Sequence, residues 1–92
     1  MRTIHKYTVH AGDTYAQTIT TSFAARPVHA AYQHGDPELI SVWFELDNEA
    51  PRMPRTLLFV MTGGEVPEGA GYISTHQFNG GRFVLHLYEL AQ

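Results

Sequence analysis

The stretch GGRFVLHLYEL, Gly80 to Leu90, decides the fold. Phe83, Leu85 and Leu87 alternate with Val84, His86 and Tyr88, so an extended chain here carries apolar bulk on both faces. A strand apolar on both sides needs cover on both sides. Just upstream, GYISTHQFNGG places Asn79 and two glycines between two β-prone runs, supplying the positive-φ residues of a tight turn. The C-terminal end therefore reads as a hairpin, with its two-residue turn at Asn79-Gly80 or at Gly80-Gly81. Either turn puts His76, Phe78, Phe83, Leu85 and Leu87 on one face, with Thr75, Val84 and His86 on the other.

Working outward, RTLLFVMT (Arg55 to Thr62) is a second strand apolar on both faces, joined to the hairpin by a glycine-rich connection, Thr62 to Gly71. Glu38 to Leu46 alternates cleanly, with Ile40, Val42, Phe44 and Leu46 on one face and Trp43 on the other. Between these strands Asp47 to Pro54 is polar, holds two prolines and reads as a surface loop. Thr3 to Val9 and the threonine-rich Thr14 to Ser22 are strand candidates, paired as a hairpin about a turn at Gly12-Asp13. Phe23 to Arg26 reads as a short helical turn that Pro27 ends, followed by a strand from Val28 to Gln33 and a turn at His34 to Pro37. The expected architecture is a single all-β domain over residues 1–92, a small antiparallel sandwich or partly open barrel of about seven strands with the C-terminal hairpin central.

Ninety-two residues lie at the small end of what one hydrophobic core supports, and the absence of cysteine removes disulfides as a supplement. At 43% apolar and 12% aromatic residues the chain is nonetheless rich enough to fold. The second apolar face of two strands fits either a half-barrel wrapped so tightly that its central strands are covered twice or a patch buried against another copy. A homo-oligomer is expected, because a large apolar patch is rare on a monomer. The longest apolar run, Leu57 to Met61, is too short to span a bilayer and no apolar leader opens the chain. A soluble, cytoplasmic protein with no membrane partner is therefore expected.

Six Lys plus Arg against nine Asp plus Glu, a net charge of −3, lack the cationic cluster that DNA or RNA backbones require. Scattered arginines still suit a small anion, since one or two guanidinium forks hold a phosphate or carboxylate. No two of the six histidines stand two to four apart, so no metal and no other cofactor is expected. The serines lack a nucleophile signature, and TGGEVPEGAGY lacks the lysine and helix of a phosphate loop. Nothing here predicts an enzyme. His86, between Leu85 and Leu87, reads either as a buried imidazole satisfied by a backbone or Tyr oxygen, or as a pocket-lining hydrogen-bond group.

Ile4-His5-Lys6-Tyr7, Val42-Trp43, Thr62-Gly63 running through Pro67 to Gly71-Tyr72-Ile73, and Gly80-Gly81 running through Val84 and His86 to Glu89 form a recurring set. In these pieces, spread over nearly the whole chain, the sequence resembles a family of short phage and prophage proteins. The resemblance implies an accessory protein without catalytic activity, of a kind that often counters host defence. One expected mode is sequestration of a nucleotide-derived signal, for which the chain supplies Arg55, Arg82, Trp43, Tyr72, His76 and His86 as candidate residues, since arginine forks suit phosphates and aromatic faces suit bases. The alternative is a module that blocks a host protein or serves as a minor virion component, using Trp43 as an anchor.

Overall fold

The computed structural model describes residues 1–11, 16–32, 35 and 38–91, the side chain of Asn79 excepted. Among them are seven strands, β1 (Arg2–His10), β2 (Ala16–Ser22), β3 (Arg26–Tyr32), β4 (Leu39–Asp47), β5 (Arg52–Met61), β6 (Gly71–Phe78) and β7 (Phe83–Glu89). They form two antiparallel sheets: sheet A, with order β1-β4-β3, and sheet B, with order β2-β5-β7-β6. Packed face to face, they make a sandwich.

The core lies between the central strands. Ile40, Val42, Phe44 and Leu46 of β4 are almost wholly buried, together with Leu57 and Phe59 of β5 and Leu87 of β7. Burying a side chain of this size contributes about 1.5–3 kcal/mol, and the alternation in β4 is what directs four of them inward. Tyr7 adds an edge-to-face contact with Phe44, ring centroids 5.7 Å apart. β7 is an interior strand as the sequence predicts, although β6, the other half of its hairpin, is an edge strand.

The expected pairing of the first two strands is corrected. β1 pairs with β4 and β2 with β5, so the two lie in different sheets. Each thereby lines a strand rich in buried apolar residues, which pairing with each other would not achieve. A side chain keeps them linked: Gln17 accepts from the His10 amide at 2.8 Å and donates to the His10 carbonyl at 2.6 Å, imitating a backbone ladder. The Gly12-Asp13 turn lies outside the described residues, as does all but Gly35 of the His34 to Pro37 turn.

Two boundaries also differ. The turn expected at Phe23 to Arg26 runs from Ser22 to Ala25, closed by the Ala25 amide on the Ser22 carbonyl at 3.0 Å, and Arg26 already begins β3. The loop after β4 is shorter than expected, because β5 starts at Arg52 and includes Pro54. Proline is tolerated there because β7 pairs with β5 only from Leu57 onward, leaving one edge of the Pro54 segment without a ladder.

The β6–β7 turn spans four residues, with Phe78 opposite Phe83 and Gly80 and Gly81 at φ of 67° and 90°. An even-numbered loop preserves the expected faces: His76 and Leu85 point to the core side, Thr75 and His86 away. The outer side of β5 is covered within one chain, Leu58 being 6% and Val60 7% exposed. A turn after β5, closed by the Gly64 amide on the Met61 carbonyl, lies so close to Val60 that a Cβ on Gly64 would stand 3.1 Å from Cγ1. The outer side of β5 is thus covered within the chain, one of the two explanations that the sequence allows for an apolar second face.

Candidate functional site

The six residues singled out in the sequence fall in four places. Arg55 and His76 are buried on the core side, and Tyr72 and His86 lie on the outer face of sheet B. Arg82 is exposed in the β6–β7 loop, and Trp43 stands on the outer face of sheet A. They do not converge on one pocket.

Arg55 is fully occupied. Its guanidinium forks onto Glu89, with Nη2 2.7 Å from Oε1, donates to the Ala25 carbonyl and lies 5.4 Å from the centre of the Phe44 ring. His76 bonds Ser74 Oγ at 2.7 Å and meets the ring of Tyr32 edge-on at 5.8 Å. Burial lowers its pKa, because an imidazolium is costly to strip of water. Tyr32 in turn donates to the Gln77 carbonyl and packs on Phe78, closing the seam where β3 of one sheet meets β6 of the other.

His86 realises neither expectation in full. Half-buried on the outer face, it is satisfied by side-chain hydroxyls: Nδ1 lies 2.9 Å from Thr75 Oγ1 and Nε2 2.9 Å from Thr62 Oγ1. Tyr72 extends the chain, its hydroxyl 2.6 Å from Thr75 Oγ1. The sequence placed Thr75 and His86 on one face of the hairpin, but Thr62 joins them only through the β5–β7 pairing.

Trp43 has company on the outer face of sheet A. The register across β1-β4-β3 sets Lys6 opposite Trp43 and Trp43 opposite His29, and the next row sets Ile4 opposite Glu45 and Glu45 opposite Arg26. His29 packs on the indole at 5.4 Å. Glu45 Oε1 draws in two arginines, with Arg2 Nη2 at 2.7 Å, Arg26 Nη2 at 2.9 Å and Arg26 Nε at 3.0 Å. Those hydrogen bonds and charges hold the Glu45 carboxyl below its usual pKa, so it is ionised across the neutral range. Ile4 at 54% and Val28 at 45% expose apolar surface on the same three strands. An open depression of about 440 Å³ is lined by Arg2, Thr3, Ile4 and Glu45.

Arg2, Lys6, Arg26 and His29 escaped the sequence reading because they are scattered over residues 2–29 and become neighbours only through β4. Their one legible sign was the position of Trp43 off the apolar face of its strand. Among the described residues no group of three His, Asp or Glu side chains is placed to hold a metal ion, and no helix is long and apolar enough to cross a membrane.

These features define a small two-sheet antiparallel β-sandwich with an open aromatic and cationic face. The chain belongs to the family described as Domain of unknown function (DUF7352), whose model matches residues 1–92. No curated protein and no solved structure matches it significantly.

Proposed function

We propose that this chain is a non-catalytic binding module that captures an acidic protein partner on the outer face of sheet A. The observation that carries the reading is Trp43, held at the middle of three strands with Lys6 and His29 beside it and Arg2 and Arg26 in the adjoining rows. Tryptophan and arginine dominate the energetic centres of protein interfaces. A flat, open sheet face fits a macromolecule better than a small ligand, whose sites are concave. Arg2 and Arg26 share the one carboxylate of Glu45 on this face, which favours an acidic partner. The resemblance to phage and prophage proteins supports a host protein in that role.

A second reading, capture of a nucleotide-derived molecule, is favoured by the arginine pair beside an indole and an open depression. Capture from host lysate with the parent and with Trp43→Ala decides between them. A stoichiometric protein lost only from the variant supports the first reading, and an ultraviolet-absorbing molecule released on denaturation replaces it with the second. Light scattering tests the occupant further: a dimer dissolved by Trp43→Ala would make the partner a second copy and overturn the first reading, whereas a 10.3 kDa particle leaves the face open.

A further inference from the structure

The Arg2, Glu45 and Arg26 cluster is electrostatically half-filled. All three nitrogen contacts fall on the same carboxylate oxygen, Oε1, so two guanidiniums share one anion. Both arginine side chains are 70% exposed, and each guanidinium carries five N–H donors, of which Glu45 engages only a minority. Glu45, on the central strand β4, gathers both forks at one point and competes for their donors.

We propose that this cluster is a receptor for one oxyanion, a phosphate or a carboxylate, borne on a flat apolar ring that lies against Trp43 and Ile4. The inference rests on sheet A being the binding face, and it names the group recognised there. Two guanidiniums held together repel; Glu45 offsets one charge, and the incoming anion offsets the other. An exposed ion pair alone is weak because water and salt screen it. The ring supplies the missing contact, since Trp43 stands two residues from Glu45 on the same face, roughly 7 Å along the strand. The depression is lined by Arg2, Thr3, Ile4 and Glu45, and Trp43 stands in the row next to it.

The test is a titration of the intact chain with phenyl phosphate, phenylacetate and benzyl alcohol, followed through the Trp43 indole N–H resonance. The expected result is a saturable shift with an anion, at a Kd on the order of millimolar for so small a probe, and none with benzyl alcohol. The tighter of the two anions identifies the source as phosphate or carboxylate. Arg2→Gln and Arg26→Gln should each weaken binding roughly fivefold, while Glu45→Gln, which removes the internal competitor, should tighten it. Thermal melts alongside verify that each variant is folded. The inference is overturned if the alcohol shifts the indole as the anions do, if both arginine variants bind like the parent, or if folded Glu45→Gln binds more weakly. Should Trp43→Ala abolish protein capture while no anion binds, the oxyanion receptor fails and the binding face stands.

Discussion

Arg55 and Glu89 form a forked ion pair at one end of the core, diagonal across β5 and β7, with the arginine side chain only 8% exposed. The Ala25 carbonyl and the Phe44 ring complete the surroundings of the guanidinium. A residue whose type suits phosphate binding is thus committed to the fold.

Glu89→Ala should therefore destabilise the protein by about 3 kcal/mol, because it strands a buried guanidinium. The paired replacement Arg55→Met with Glu89→Leu should lie close to the parent, since apolar groups of similar volume avoid the desolvation of both charges. Equilibrium urea unfolding of the three proteins checks this. A single variant as stable as the parent would mean that the pair contributes nothing.

Trp43→Ala is expected to separate stability from binding. The indole lies on the outer face, only partly buried and packed on His29, so unfolding free energy should fall by about 1 kcal/mol. Partner affinity should drop by at least about 2 kcal/mol, roughly thirtyfold, as for an interface hot spot. The comparison needs circular dichroism melts and calorimetry on one preparation.

His86→Ala removes one partner from each of the Thr62 and Thr75 hydroxyls, yet Thr75 keeps Tyr72 and both hydroxyls are exposed enough to find water. The expected loss is about 1 kcal/mol, or a melting shift of roughly 4–8 °C for a domain of this size. Binding at the Trp43 face, on the other sheet, should not change. A variant that melts with the parent but loses partner binding would contradict this and restore a pocket role for His86.

His76 makes stability depend on pH in a defined direction. Burial lowers its folded pKa, so the unfolded chain binds the proton first as pH falls. The stability tied to neutral His76 is complete above the ordinary imidazole value near 6.5, and is lost as pH falls through that value toward the lower folded pKa. Urea unfolding of the parent and His76→Gln between neutral and mildly acidic pH should show the steeper decline in the parent. The Tyr32 seam between β3 and β6 is where the strain of a charged His76 falls.

Much of the local structure is legible in the sequence because it depends on near neighbours. The alternation of Ile40, Val42, Phe44 and Leu46 fixes an inward face, the glycines after Asn79 fix a turn, and the apolar runs at Leu57 to Met61 and Phe83 to Leu87 mark strands that need cover on both sides. These follow from the period of two and from φ preferences, which act within a few residues.

Strand partnership is different. Nothing within the first 22 residues says that β1 belongs to β4 and β2 to β5, because the free energy that decides it is apolar burial summed over residues far apart in the chain. The candidate face has the same origin. Arg2, Arg26 and Glu45 become one cluster only when β4 takes its place between β1 and β3, and Arg55 becomes a core residue only when β7 brings Glu89 beside it. By itself the sequence determined the strands, their inward faces and the all-β class. The tertiary structure alone decided which charges meet and which arginines stay exposed, because ion pairs between distant residues exist only once the sheets are assembled.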